Sequence, residues 1–585
     1  MNNQKNPHLE TVSKSEKPHF GFRPSSGQSS PKPQETSSLG LKIIPLGGVG
    51  DVTKNMYVYE YGNDQLIVDC GMGFPKDDAL GVDAIIPDIS YLEKSDKKIH
   101  GIIVTHAHQD HVGGLPYILP RLKGVEVFGS KLAIAIAEIK VREFGITNKM
   151  TPVEGQLKLG PFDIQFIHVT HSVPNCYHVL IKTPAGTVYH GADFKFDLTP
   201  IDNLPPDMGS MAVAGNNGVD IMLTDCLRID KSGFCPSERS LLTAVDNEIR
   251  TAEGKVIFTT MSSSISRIQM AIDSAVRYHR RVAIIGRSVE QNVEAAAKTG
   301  FIKIPKGIFI KSQQVSALHP NQVMIIVSGS QGQVGSAMHR LANDEHTQVK
   351  LKKGDKVIIS SDAIPGNEGD VYDLLDTLYK KGIAVTYSGT SENLHVSGHG
   401  YRGDLTLLAR LIRPKNIIPI GGNLRHMMLY KDLAKDMNMD PDKVFVLSGG
   451  QAIVLDKGIV KQGPKIETRN VYVDGLGIGD VGTVVLRDRQ VMAEDGILLA
   501  IVPLRKDNSQ IAGDIEIISR GFVYQKESQE LINDARKHVY DCLKDLKGQA
   551  TDWGFIRKKI ESQLEKFAFD HTQRRPLVIA ILLEV

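Results

Sequence analysis

The sequence predicts a layered α/β protein with about three folded domains, and three observations predict it. From Leu41 onward, short apolar segments closed by glycine alternate with helix-like stretches. Between residues 246 and 385 the pattern becomes strand, small polar turn, helix, repeated several times. After about residue 466, two amphipathic helices lead to a closing apolar strand. At roughly 100–200 residues per domain, a chain of 585 residues holds about three such units.

The elements follow in order. Residues 1–38 are rich in Ser, Pro, Lys, Gln and Gly and have almost no branched apolar side chains. Such a segment cannot bury enough surface to offset its chain entropy, so a disordered tail is predicted. A solubilising role is its plain reading; recruitment of RNA, a helicase or a ribosome is the functional one. LKIIPLGGVG, NMYVYEYG and QLIVDCG then read as strands. IHGIIVTHAHQDH is a buried strand, Ile102 to Val104, that runs into a polar loop, and VGGLPYIL begins a helix. FDIQFIHVT, HVLIKTP and GTVYHGADF complete the strands of a first domain, residues 39–245.

KVIFTTM, RVAIIGRS, QVMIIVSGSQG and KVIISSDAIPG each end a strand in small polar residues, as a parallel sheet does where it offers ligands to its carboxyl ends. They define a second domain, 246–385. AVTYSG, HVSGHGYRGDL and NIIPIGG return to the style of the first domain. The second domain is therefore inserted in the first, which resumes over 386–465 together with a linker. Residues 466–585 read as a small α+β domain. Leu531, Ala535, Val539, Leu543 and Leu546 share one helical face, and Trp553, Ile556, Ile560, Leu564 and Phe567 share another. Both stripes are core-facing.

Composition narrows the function. Formal net charge is +2, so contact with nucleic acid requires a local basic channel, not a global field. The five cysteines, Cys70, Cys176, Cys226, Cys235 and Cys542, form no CxxC pair, which argues against a zinc ribbon or a disulfide framework and suits a reducing cytosol. The N-terminus lacks the apolar core of a signal peptide, and no uninterrupted apolar run reaches about 18 residues. A cytoplasmic protein without membrane contact is expected.

The chemistry concentrates at THAHQDH, residues 105–111. Three imidazoles and a carboxylate lie within six residues, directly after a buried strand. Such nitrogen and oxygen donors suit zinc, and manganese to a lesser degree. His106 and His108 alternate, so an extended loop points both one way, while Asp110 and His111 reach the other side. One loop then serves two ions, and ions about 3.5–4 Å apart can clamp a phosphodiester. His171 in VTHSVPN and Asp193 in YHGADF, both at strand ends, supply further ligands, with Asp193 placed to bridge.

The order Asp69 in VDCG, THAHQDH, THS and GADF resembles the metallo-β-lactamase superfamily, whose core is an αββα sandwich. An inserted domain ending in HVSGHG resembles the β-CASP nucleases. The stretches GGVGDVTKNMYVYEYG, DAIIPDISYL, HAHQDHVGGLPYIL, DFKFDLTP, SERS, GRS, SGSQG, IPGNE, VYVDGLGIGDVG, LRDR, ISRGFVY and RRPLVIAILLEV extend the resemblance over about 40–585 to the ribonuclease J family. The resemblance implies a sandwich with an inserted β-CASP α/β domain and a small α+β C-terminal domain. It also implies a two-metal ribonuclease that cuts RNA internally and 5′-to-3′ from a 5′ monophosphate, in RNA processing and decay, as a homodimer or homotetramer or as a hetero-oligomer with a paralogue. His106, His108 and His171 would hold one ion, Asp110 and His111 the second, and Asp193 both. Asp110 or Asp193 would orient the attacking water and His399 would give a proton to the leaving group. His395, Ser397 and Gly398 would grip the phosphate near the cut, with Arg287 and Ser288 as further phosphate contacts. Asp225 in LTDC matches the acidic residue closing the first β-CASP motif.

Two departures stand out. The family carries a histidine of the second metal site in an HGEYR stretch; this chain reads PIGGNLRH, placing Gly421 there and Asn423 at the following acidic position. Glycine has no ligand atom. His426, five residues on, is the one nearby candidate substitute. In TTMSSSISRIQ, Ser264 and Ser266 replace an Asn and a His that help recognise the 5′ phosphate. Three readings follow: an active enzyme with a weaker second site, a low-activity paralogue that pairs with an active partner, and a non-catalytic RNA scaffold. A hydrolase of thioesters or lactams is the reading from another class; the inserted domain and HVSGHG count against it. Lys195, Arg267, Arg277, Arg280, Arg281, Arg287 and Arg402 are the basic residues expected to line an RNA channel.

Overall fold

The computed structural model describes residues 40–585 except 76–78, 365, 392, 476, 507–509, 524–528 and 545–551. The expected N-terminal tail and Leu546 lie outside the described residues.

Two sheets form the first layer pair. One has eight strands in the spatial order Ile459–Lys465, Gln451–Asp456, Leu41–Gly47, Met56–Tyr61, Asp64–Val68, Lys98–Val104, Val127–Gly129 and Met150–Pro152. The other has six, in the order Asn416–Ile420, Ile221–Asp225, Gly186–Gly191, Cys176–Thr183, Phe162–Val169 and Gln156–Leu159. Their apolar side chains share one core. Across the junction the Tyr57 and His190 rings meet edge to face at 4.9 Å, and Tyr59 Oη lies 2.8 Å from His190 Nδ1. Helices Lys131–Glu143, Arg402–Ile412 and Leu424–Asp436 bury one stripe each in that core. This is the αββα sandwich the motifs imply.

The chain leaves and re-enters this sandwich. Leu41 pairs with Leu455, and Ile221 pairs in parallel with Asn416. Between them lies a five-stranded parallel sheet in the order Arg281–Ile285, Val323–Val327, Val256–Thr259, Lys356–Ile359 and Ala384–Thr386. Parallel neighbours need crossovers, and helices Ile265–Arg277, Arg287–Thr299 and Glu368–Lys380 provide them. VGGLPYIL forms a single short turn of helix, Leu115–Ile118, preceded by another at Gln109–Val112.

The last part of the chain begins by packing on the first. Asn470–Asp474 pairs with Ala84–Pro87, and Arg489 in helix Thr483–Glu494 bonds the Leu80 carbonyl and Asp474. A separate core follows, made by strands Ile497–Leu504, Glu516–Arg520 and Leu577–Glu584 with helices Gln529–Lys544 and Trp553–Thr572. Ala535, Val539, Leu543, Ile556, Ile560, Leu564 and Phe567 are buried in it, and Leu531 packs at its edge. Trp553 is not: as the first residue of its helix it stays half-exposed.

Candidate metal centre

The ligand loop is fixed by backbone before any side chain acts. His108 ends the extended run and caps the turn Gln109–Val112, so Asp110 and His111 swing to the opposite side from His106 and His108. Asn55 and residues 69–72 strap this turn: Cys70 N–H donates to His111 C=O at 2.8 Å, and Asn55 N–H donates to Asp110 C=O at 2.9 Å. A Cβ at Gly71 would lie 1.6 Å from the Asp110 carbonyl oxygen, so only glycine permits the approach. Asp69 is held at φ 63°, a left-handed conformation that costs a non-glycine residue about 1–2 kcal/mol. That geometry turns its carboxylate under the site, where Oδ1 accepts from Thr105 N–H at 2.8 Å and Oδ2 meets His111 Nδ1 at 2.7 Å.

Two ligand sets result. His106, His108, His171 and Asp193 converge on one point; Asp110, His111 and Asp193 converge on a second. In each ring one nitrogen is occupied by an outer partner: Thr105 Oγ1 for His106 Nδ1 (3.0 Å), Ser172 Oγ for His108 Nε2 (3.3 Å), the Gly398 carbonyl for His171 Nδ1 (2.7 Å) and Asp69 for His111. The opposite nitrogens face inward. His106 Nε2 and His171 Nε2 lie 3.1 and 3.0 Å from His108 Nδ1, and all approach Asp193 Oδ2, His111 Nε2 at 3.4 Å. Rings oriented from behind, with inward nitrogens crowded around a carboxylate, are what a cation requires. The residues therefore fit divalent metal ions.

The electrostatics of His106, His108 and His171 agree, whereas an ion at His111 would have to displace a proton. Burial and neighbouring imidazoles push His106 and His171 well below the ordinary histidine range, and His108 down to about 4. Neutral imidazoles are the ligating form. Burial opposes a charge on His111, yet Asp69, Asp110 and Asp193 hold it well above its usual value. Burial likewise opposes, but His111 and His399 outweigh it and keep the Asp193 carboxyl far down. Asp69→Asn removes the anion behind His111. It is expected to weaken metal retention by about 10–100-fold, read by chelator titration with the fold unchanged.

A third group, Asp193, Asp225 and His399, adjoins these. His399 Nδ1 lies 2.7 Å from Asp225 Oδ2 and 3.9 Å from Asp193 Oδ2. Against burial, these carboxylates raise it to about 9, while burial raises Asp225. The Ser397 hydroxyl accepts from the His399 backbone N–H at 3.0 Å and the Gly398 carbonyl is taken by His171. Both expected phosphate contacts therefore spend polar atoms on neighbouring residues. Gly421 sits where a side chain would enter the centre: a Cβ there would lie 3.5 Å from Asp193 Oδ1 and 3.6 Å from Asp225 Oδ1.

Several expectations are corrected. His426 is buried on the first turn of helix Leu424–Asp436, with Nε2 accepting from Arg425 at 3.2 Å, and belongs to none of the ligand groups found among the described residues. Lys195, Arg267 and Arg280 do not line a channel. Lys195 and Arg267 are 0% and 2% exposed and meet Glu238, and the Arg280 guanidinium bonds the carbonyls of Ala252, Gly254 and Val323. A charge beside buried carbonyls or a buried carboxylate is held inside by them. Arg277, Arg281 and Arg402 are at the surface but engaged by Asp246, the Gly307 carbonyl and Asp436. Arg287 and Ser288 are exposed at the start of helix Arg287–Thr299. Ser264 is buried just before helix Ile265–Arg277, while Ser266 on its first turn is half-buried. Asn55, whose Nδ2 approaches His111 Nε2 at 3.2 Å and Asp110 Oδ2 at 3.5 Å, lies in the GGVGDVTKNMYVYEYG stretch, but the sequence assigns it no role.

Three family models match this chain: the metallo-beta-lactamase superfamily over residues 49–223, the ribonuclease J beta-CASP domain over 253–378 and the ribonuclease J C-terminal domain over 484–585. Ribonuclease J 1 of Streptococcus pyogenes is 34% identical across 92% of this chain and 97% of its own length. Ribonuclease J2 of Bacillus subtilis is 34% identical across 94% and 100%, and ribonuclease J of Helicobacter pylori 34% across 91% and 79%. A crystal structure of a protein of unknown function from Enterococcus faecalis shares the fold, at 17% identity and a TM-score of 0.51, over 71% of this chain and 100% of that one. With identity of this level sustained through all three matched regions, the chain belongs to the ribonuclease J family.

Proposed function

We propose that this metallo-β-lactamase-fold ribonuclease hydrolyses RNA internally and 5′-to-3′ from a 5′ monophosphate, at the centre built on His106, His108, Asp110, His111, His171 and Asp193. One observation carries the proposal: each of these four rings is held from behind and turns its other nitrogen toward Asp193. The histidine-rich donor set favours zinc, with manganese the alternative that the carboxylates tolerate. Bound there, two divalent ions would lower the pKa of a water and neutralise phosphate charge.

The chain's own groups do the rest. Asp193 and the partly exposed Asp110 accept hydrogen bonds from the attacking water and orient it. Asp225 holds His399 through Nδ1, leaving Nε2 to give its proton to the departing 3′ oxygen. Ser397 fixes the backbone of that loop, and His395 meets the phosphate. In this reading Arg287 and Ser288 receive the 5′ phosphate; their exposure at a helix start supports it. Among the described residues no helix is long and apolar enough to cross a membrane. We place the protein in the cytoplasm, in rRNA processing and mRNA decay, as a homodimer or homotetramer. Gly421 favours a second reading, a low-activity paralogue in a hetero-oligomer with a more active partner. His399→Ala is expected to lower kcat by about 10²–10⁴-fold while leaving metal content unchanged. Unaltered turnover, measured on single-stranded RNA, would remove His399 from the reaction.

A further inference from the structure

Beneath the loop that carries His395 and His399 lies a buried cluster of three charges from distant parts of the chain. Lys195 follows the strand Gly186–Gly191, Glu238 opens a short 3-10 turn, and Arg267 lies on helix Ile265–Arg277. Taking such groups out of water costs several kcal/mol per ion, so each demands full pairing.

The pairing is complete. Arg267 Nε donates to Glu238 Oε2 at 2.9 Å; Nη2 donates to Glu238 Oε1 at 3.0 Å and to the Val396 carbonyl at 2.6 Å. Nη1 donates to the Ser360 carbonyl at 2.9 Å and reaches His395 Nδ1 at 2.8 Å. Lys195 Nζ donates to Glu238 Oε1, the Pro236 carbonyl and the Ser397 carbonyl at 3.2, 3.2 and 3.0 Å. A guanidinium has five N–H donors and no acceptor, and an ammonium has three. Every donor of both side chains is used.

We propose that Arg267, held by Glu238, is a positioning residue that fixes the tautomer of His395. Because Arg267 can only donate, His395 Nδ1 must accept. The ring is then neutral with its proton on Nε2, the nitrogen that faces Asp362 Oδ2 at 3.7 Å and is left to donate to an RNA phosphate. The same guanidinium pins the Val396 carbonyl, so ring orientation and loop position are set together. Four charged groups act on His395: Arg267 on its helix, Asp362 after the strand Lys356–Ile359, Glu238 on its turn and Arg228 after the strand Ile221–Asp225. Burial and then Arg267 hold the ring down to about 4, which keeps it neutral through the physiological range. The proposal rests on the reading that His395 contacts the scissile phosphate.

The test begins with the unaltered, metal-loaded protein. Nitrogen-15 NMR of histidine-labelled chain, with the His395 signals identified by their loss in His395→Gln, is expected to show a neutral Nε2–H ring that does not titrate between pH 5 and 8. A ring protonated on Nδ1, or one titrating near the ordinary histidine value of about 6.5, overturns the proposal. Arg267→Lys retains a charge for Glu238 but not the five-way fork, and Arg267→Met removes the guanidinium while Lys195 still pairs Glu238. In each, kcat is expected to fall at least tenfold at pH 8 with KM and metal content little changed. The ratio of variant to unaltered kcat is expected to rise as pH falls toward 6, because a protonated His395 regains its Nε2 donor. A ratio independent of pH, or kcat equal to the unaltered chain in both variants, contradicts the positioning role. Normal kcat in His395→Gln would overturn the phosphate contact itself, a failure separate from that of the tautomer.

Discussion

Replacing His108 with alanine is expected to abolish RNA cleavage while leaving the fold intact. His108 Nδ1 is the hub of the first ligand set, 3.1 Å from His106 Nε2 and 3.0 Å from His171 Nε2. No neighbouring side chain replaces it: Ser172, behind the ring, is the outer partner and not a donor toward the centre. Losing a partner one layer further out already costs about 10–100-fold, so removal of a ligand should exceed about 100-fold in metal affinity and in kcat. Stability of the metal-free protein should change by only about 1 kcal/mol, since His108 is half-buried on a loop and crowded by like imidazoles. Metal analysis, thermal unfolding and single-stranded RNA turnover on the same preparation separate the two effects.

Gly421→His is expected to tighten the second ion by at least tenfold and to raise activity with it. The added Cβ meets no clash, and it points between Asp193 Oδ1 and Asp225 Oδ1. The backbone there has φ 64°, so the substitution carries a cost of about 1–2 kcal/mol in stability. Histidine is among the residues that tolerate this region best. A lower Tm together with a higher metal affinity is the expected signature, read by unfolding and by isothermal titration. Equal metal affinity in both proteins would mean that the second ion is already completed by another group, and Asp225 is the side chain whose oxygen faces the same space.

The architecture was legible where periodicity and packing coincide. Leu41–Gly47 and Ile102–Val104 read as strand because buried strands are apolar, whereas the exposed start of Lys98–Val104 was missed; the parallel sheet announced itself through small polar strand ends. The convergence of the candidate ligands was legible because four donors sit on one loop; His171 and Asp193 followed from their strand ends. What the sequence hid was pairing across distance. Lys195 and Arg267 read as channel lysine and arginine because nothing local reveals a carboxylate at Glu238 that only folding brings to them. Asn55 and Ser172 sit in recognised stretches, but their roles were hidden, since outer partners of a metal site need one hydrogen bond and any small polar residue in place can make it. His426 looked like a substitute ligand by proximity in sequence, but its Nε2 accepts from Arg425 and it joins none of the ligand groups.

The central claim is that this centre cleaves RNA with the help of divalent ions. It is tested most directly by incubating purified protein with a 5′-monophosphorylated single-stranded RNA while zinc or manganese is titrated, with His108→Ala alongside. Metal-dependent release of nucleotides by the unaltered chain, absent from His108→Ala, is the predicted result. Cleavage that survives both chelation and the His108→Ala substitution, or tight RNA binding with no cleavage at any metal concentration, would contradict the account.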